Sequence, residues 1–309
     1  MAYNLKEQMS KPERFEAGHR LCAGCGAGIT CRAMMRAMEP GDKAVICNAT
    51  SCLEVSSFQY PFTAWDDSYI HAAFENTSAV AAGVESAYKV MKKKGKIQDN
   101  FKILAIGGDG GTYDIGFQSL SGALERGHDF TYFCYDNEAY MNTGTQRSSA
   151  TPRFASATTT PAGVESVGKK QNQKDLTQIV VAHGSPYVAQ TTFLGNFKDF
   201  HEKARKAIYT EGPTFVNVLC PCPRGWQYSA ELLPEICRLA VDTCIWPLYE
   251  VENGEYHLTY MPKKKLPVEE FMKLQGRFRH CFKPGNEWML EAAQEHVDQE
   301  WEKLKDKCQ

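Results

Sequence analysis

Lys102-Ile103-Leu104-Ala105-Ile106-Gly107-Gly108-Asp109-Gly110 and Phe130-Thr131-Tyr132-Phe133-Cys134-Tyr135-Asp136-Asn137 decide the fold. Each is a short apolar run that stops where polar residues begin, the pattern of a strand buried on both faces of a parallel sheet. The stretch from about Ile115 to Arg126 between them has helical character, so the two runs close a β-α-β unit. Asp109 and Asn137, 28 positions apart, then stand just past two strand ends, at the carboxyl edge where open α/β sheets bind ligands. A carboxylate and an amide oxygen beside a glycine turn suit Mg2+, which keeps its other positions for phosphate oxygens and water. Gly108 and Gly110 let the backbone come close to a diphosphate. Taken alone, the Gly-Asp-Gly tripeptide also leaves open the lesser alternative of a plain strand-to-helix turn.

Cysteines form a second constellation. Gly18-His19-Arg20-Leu21-Cys22-Ala23-Gly24-Cys25-Gly26 holds a CxxC flanked by glycines, Asn48-Ala49-Thr50-Ser51-Cys52-Leu53-Glu54-Val55 follows, and Cys220-Pro221-Cys222-Pro223-Arg224-Gly225-Trp226 closes the α/β region. A CxxC also serves redox disulfides and half zinc sites. Beside a diphosphate motif, four thiolates from three loops favour a [4Fe-4S] cluster.

In order along roughly the first 230 residues, HRLCAGCGAG, NATSCLEV, YPFTAWDDSYIHAAFENTSAVAAGVESA, GDGGTYDIGFQSLSGALERG, YDNEAYMNTGTQRSSATP and PCPRGW resemble the β subunits of pyruvate:ferredoxin oxidoreductases. These are thiamine-diphosphate enzymes of the 2-oxoacid:ferredoxin oxidoreductase superfamily. The chain departs from the family's usual pattern at Ser51, where a glycine is common, and at Arg224, where Thr-Gly-Trp usually follows Pro-Cys-Pro. Ser51 keeps a small residue, and Arg224 is expected to add a cation near the cluster.

The resemblance implies an α/β thiamine-diphosphate domain with a mostly parallel sheet flanked by helices and a helical C-terminal arm. It assigns the [4Fe-4S] cluster to Cys22, Cys25, Cys52 and Cys222, leaving Cys220 as a buried strand-end thiol. Asp109 and Asn137 by side chain, and Ala139 by its carbonyl, would bind Mg2+. Asn142 would donate to the substrate-derived oxygen, a role its amide suits. Thr50, Gly108, Gly110 and Thr143 would lie near the cofactor, and Glu54 either touches it or anchors its loop. The implied reaction is oxidative decarboxylation of pyruvate with coenzyme A to acetyl-CoA and CO2, electrons passing through the cluster to ferredoxin. Oxalate without coenzyme A, a branched 2-oxoacid, and a non-catalytic iron-sulfur electron-transfer role stay open. No second α/β domain and no CxxCxxCxxxCP run are present, so α, γ and δ subunits or equivalent domains are expected as partners.

A formal charge of −2 gives no reason to expect nucleic acid. No apolar stretch approaches the roughly 20 residues needed to cross a membrane, and Met1 to Lys6 lacks the apolar core of a signal peptide. A cytoplasmic protein with reduced thiols, in an anaerobic cell, is expected. Residues 1–20 read as an N-terminal arm, 21–230 as the cofactor-binding domain, and 231–309 as a mainly helical extension making subunit contacts or a solvated tail. Within them the pattern predicts helices over 29–38, 72–91 and 197–209, and strands over 43–47, 179–182, 187–191 and 215–219. The helix over 72–91 should stop at Lys92-Lys93-Lys94-Gly95. Residues 140–175 read as a long functional loop. Residues 260–309 read as charged helix with Trp288 and Trp301 as apolar anchors, and His19, His71 and His183 as structural histidines.

Overall fold

The computed structural model describes residues 4–309. Met1 to Tyr3, the start of the expected arm, lie outside the described residues. One eight-stranded sheet organises the chain: β1 (Lys43–Ala49), β2 (Ser68–Ala72), β3 (Phe101–Gly108), β4 (Thr131–Asp136), β5 (Tyr187–Thr191), β6 (Thr214–Leu219), β7 (Tyr249–Glu252) and β8 (Glu255–Leu258). Their order is β2-β1-β3-β4-β6-β5-β7-β8. The first six are parallel, and β7 and β8 add an antiparallel hairpin beside β5.

Alternate residues of the central strands feed two cores, as the two-residue period of a strand requires. Ile103, Ala105, Tyr132 and Cys134 point into one, where Leu120, Ala123 and Leu124 of the helix Phe117–Glu125 also pack. Leu104, Ile106, Phe133 and Tyr135 point into the other, shared with Met34 and Met35 of the helix Gly26–Met35 and Phe200 and Ala204 of the helix Phe197–Tyr209. Burial on both faces is why these strands read as unbroken apolar runs.

Chain order reverses between β1 and β3: β1 leads outward to β2, whereas β3 leads the other way to β4. In register, Gly108 pairs with Tyr135, so the residues after β3 and β4 leave the sheet side by side. Such a reversal opens a crevice at the carboxyl edge.

Several expectations shift. Ile179–Ala182 is not a strand; Leu176–Val181 is a helix. Its β-branched run mimics a strand, but the Asp175 carboxylate accepts from Gln178 N at 3.0 Å and caps the turn, while Leu176, Thr177 and Val180 face the core. The helix expected over 72–91 runs Thr77–Lys93, and the residues before it form the edge strand β2, whose Ser-Tyr-Ile-His-Ala gives no clear alternation. Its stop is as read, with Lys92 and Lys93 in the last turn and Gly95 at φ 68°. The helix expected from Ile29 starts at Gly26, directly after the CxxC.

After Trp226 come the helix Leu233–Asp242, the β7–β8 hairpin and the helix Glu287–Lys307. Met289, Val297, Trp301 and Leu304 of that last helix join the first core, and Trp288 meets Phe154 edge-on at 5.5 Å. The N-terminal segment also packs down: Phe15 is fully buried and Arg14 pairs with Asp67. Among the described residues no helix is long and apolar enough to cross a membrane.

Candidate functional site

At the β1–β3 crevice lies a cavity of about 270 Å3. Thr50, Gly108, Asp109, Gly110, Asn137, Ala139, Asn142 and Thr143 all line it, with Cys52, Phe74 and Tyr140. Asn142 and Thr143 are exposed at its mouth, whereas Asp109, Asn137 and Ala139 are 1 %, 6 % and 4 % exposed. A similar cavity of about 290 Å3, between the helices Leu176–Val181 and Glu287–Lys307, holds none of the cofactor-binding or metal-ligating candidates.

Asp109 follows β3 directly and opens a π-helical turn, Gly110–Ile115. A Cβ on Gly110 would sit 2.6 Å from the Tyr140 ring, so only glycine lets that ring close the cavity wall. Asp109 accepts from Ser148 Oγ at 2.5 Å and from Asn137 N at 3.4 Å. The Asn137 side-chain amide meets Asp109 Oδ1 and Ala139 O, each at 2.9 Å. With its nitrogen inward it donates to both; with its oxygen inward, that oxygen lies against the Asp109 and Ala139 oxygens. An octahedral Mg2+ with oxygens at about 2.0–2.1 Å sets neighbouring ligands about 2.9 Å apart, so both spacings around Asn137 fit the ion. Burial pushes the Asp109 carboxyl up to about 8, and raises Asp136 well above the carboxylate range, with Asp109 and Glu138 adding repulsion. A buried cation relieves that cost.

The thiols come from three places. Cys25 directly precedes the helix Gly26–Met35, so its sulfur stands at that helix's first turn. Gly26 N donates to Pro221 O at 3.3 Å, and a Cβ there would lie 2.8 Å from Cys220 C, so glycine brings the CxxC loop against the Cys220–Cys222 loop. Cys222 accepts from Gly225 N at 3.4 Å. Cys52 begins a helix after β1 and belongs to the cavity wall as well.

Burial pushes Cys25 up to about 11 and Cys52 up to about 12, and raises Cys222; each feels others of the set, Cys22 included. The four thiols therefore share one neighbourhood. Among the described residues no three His, Cys, Asp or Glu side chains close on a single ion. Four thiols from three loops match the thiolate set that a [4Fe-4S] cluster takes.

Other expected residues fall elsewhere. Cys220 is buried at the end of β6 and its thiol donates to Thr30 Oγ1 at 3.4 Å. Glu54 is off the cavity wall and pairs with His71 Nδ1 at 2.9 Å, anchoring its loop. His183 bonds Ser121 Oγ and Ile179 O, both at 2.8 Å. Arg224 is exposed, and the burial that raises the Cys222 thiol is offset in part by the charge of buried Arg277. Ser148, Tyr140 and Arg277 were not singled out from the sequence. Ser148 and Tyr140 fall inside the YDNEAYMNTGTQRSSATP motif, but Arg277 sits in no motif at all.

Comparison with known proteins decides the family. Residues 21–218 match the thiamine pyrophosphate enzyme family's C-terminal TPP binding domain. The chain is 51 % identical over 294 residues to pyruvate synthase subunit PorB of Methanocaldococcus jannaschii, covering 94 % of this chain and 96 % of that one. The chain belongs to the thiamine-pyrophosphate-binding subunits of the 2-oxoacid:ferredoxin oxidoreductases. It is 49 % identical to the PorB subunit of Thermotoga maritima, covering 98 % and 96 % of the two chains. To ketoisovalerate oxidoreductase subunit VorB of Pyrococcus furiosus it is 44 % identical with the same coverage. The fold also resembles a 2-oxoglutarate:ferredoxin oxidoreductase from Magnetococcus marinus, with a TM-score of 0.57 at 22 % identity, covering 76 % of this chain and 82 % of that one. As an oxidoreductase subunit of this family with a thiamine pyrophosphate domain, the chain has the fold and reaction class expected from its motifs.

Proposed function

We propose that this chain is the catalytic β subunit of a pyruvate synthase, converting pyruvate and coenzyme A to acetyl-CoA and CO2 and passing electrons to ferredoxin. The observation that carries the reading is that Cys52 borders both the oxygen-lined cavity and the thiol cluster. That shared wall supports two cofactors close enough for single electrons to pass between them.

Asp109, Asn137 and Ala139 would hold Mg2+, and Gly108 and Gly110 leave room for the diphosphate it carries. Bound there, thiamine diphosphate supplies the carbon nucleophile for a 2-oxoacid carbonyl and makes loss of CO2 feasible. Asn142, at the cavity mouth, would donate its amide to the oxygen that gains charge. Thr50 and Thr143 would border the cofactor, and Phe74 and Tyr140 wall it from water. Cys22, Cys25, Cys52 and Cys222 would hold the [4Fe-4S] cluster, whose chemistry is one-electron transfer. The raised thiols imply that assembly displaces protons from Cys25 and Cys52.

The subunit names of the relatives support a multi-subunit enzyme, here placed in the cytoplasm, with α-, γ- and δ-type functions on other chains. The identity to pyruvate synthase subunits favours pyruvate. The ketoisovalerate relative, at 44 %, supports a branched 2-oxoacid as the second reading. Turnover of the purified complex with pyruvate, oxalate and 2-oxoisovalerate, with and without coenzyme A, separates these. Coenzyme-A-dependent preference for pyruvate is expected; preference for another acid, or turnover without coenzyme A, would overturn the assignment.

A further inference from the structure

Between Asn137, whose side-chain amide meets both Asp109 and the Ala139 carbonyl, and Ala139 stands Glu138 at φ 64°. A residue with a side chain holds this left-handed conformation only when its surroundings fix it. Here every polar group of Glu138 is used. Its N–H donates to Asp136 Oδ1 at 2.9 Å, and its carbonyl accepts from Thr151 Oγ1 at 2.6 Å. Its carboxylate accepts from Gln173 Nε2 at 2.9 Å and from Arg277 at 2.5 Å.

Arg277 arrives from the C-terminal extension and is 3 % exposed. Its Nε donates to Gln275 Oε1 at 2.8 Å, and its guanidinium lies 3.8 Å over the Trp226 ring. Trp226 Nε1 in turn donates to Asn137 O at 2.8 Å. The circuit Arg277, Glu138, Asn137, Trp226 is therefore closed, and Trp226 N is also bonded to Cys222 O at 2.9 Å. A buried ion pair adds little stability over apolar side chains of equal volume. A planar fork that pairs with a carboxylate and stacks on an indole fixes orientation, which lysine cannot do.

We infer that Arg277 is a positioning residue: it sets the turn at Glu138 that holds the Asn137 amide against Asp109 and the Ala139 carbonyl, and it locks that turn to the Cys222 loop. This rests on the reading of Asp109, Asn137 and Ala139 as the Mg2+ anchor of the diphosphate.

The test uses the complete enzyme, stripped of metal and cofactor. The dissociation constant for thiamine diphosphate is measured at several Mg2+ concentrations, at a temperature where circular dichroism shows each variant folded. The variants are Arg277→Lys and the pair Arg277→Met with Glu138→Gln, which leaves no unpaired buried carboxylate. The pair should weaken binding about tenfold at low Mg2+, about 1.4 kcal/mol, with the deficit narrowing as Mg2+ rises. Arg277→Lys should fall between the pair and the parent. A merely structural role would lower the thermal midpoint and leave the constant unchanged, and that result would overturn the inference. If the pair fails to fold, Arg277→Lys decides alone, an unchanged constant again being fatal. Asp109→Ala is the control: if it too binds normally, the Mg2+ reading fails and takes the inference with it, whereas loss in Asp109→Ala alone refutes only the role of Arg277.

Discussion

Asp109, Asn137 and Ala139 are carried just past the ends of two adjacent central strands and are almost wholly buried, whereas Cys22, Cys25, Cys52 and Cys222 come from three loops and keep some exposure. The first group is fixed by sheet register: Gly108 opposite Tyr135 determines where Asp109 and Asn137 emerge. The second is assembled by close backbone contact between loops, as at Gly26 against Cys220 and Pro221. Strand ends suit a small ion that demands fixed oxygen geometry. Loops near the surface suit a group whose electrons must leave the protein. The comparison also explains the titration pattern, since both sets lose hydration and hold their protons tightly when no metal is present.

Removing one side should spare the other. Asp109→Ala should abolish retention of thiamine diphosphate, a loss of several orders of magnitude in affinity, while absorbance near ~400 nm from the iron-sulfur group stays. Cofactor retained in that variant would mean that the buried oxygens are a structural cluster.

A smaller effect tests the oxygen side through pH. In metal-free protein the Asp109 carboxyl holds its proton up to about 8, against an unfolded value near ~3.9. Between those values the folded state binds the extra proton, so stability falls as pH rises through the window and is fully present only below the lower value. The thermal midpoint of the metal-free enzyme should therefore drop between about pH 5 and pH 8. Saturating Mg2+ and thiamine diphosphate should flatten or reverse that slope, and a metal-free slope of opposite sign would contradict it.

The smallest effect concerns an arginine near the thiols. Arg224→Ala, at an exposed position, should change stability by no more than about 0.5 kcal/mol and leave the cluster's reduction potential in place. A clear shift in potential would show that the Arg224 charge reaches the cluster.

The oxygen side was legible because strands buried on both faces leave unbroken apolar runs, and the residues that stop those runs line the cavity. The helix Phe197–Tyr209 was legible for a related reason, with Phe200, Ala204, Ala207 and Ile208 at helical spacing on its buried face. The helix Leu176–Val181 was misread because Ile179-Val180-Val181 has strand character and its capping carboxylate is a single residue. The edge strand β2 is only half covered and carries no pattern. The hairpin of β7 and β8 was missed because eight residues in two short strands barely rise above a turn. Arg277 was invisible for a deeper reason: its partners Glu138 and Trp226 lie far away in sequence, and only the fold brings them together. The four cysteines were named together only through the family resemblance, because which loops meet is a property of packing.

The most direct test is the metal content of the anaerobically purified enzyme and of its Cys52→Ser variant. The account predicts roughly four iron atoms and their sulfide per copy of this chain, beyond those on partner subunits. The variant should lose them while still retaining Mg2+ and thiamine diphosphate. A single zinc ion at the thiols, or iron content untouched by Cys52→Ser, would contradict the claim that two cofactor sites share this wall.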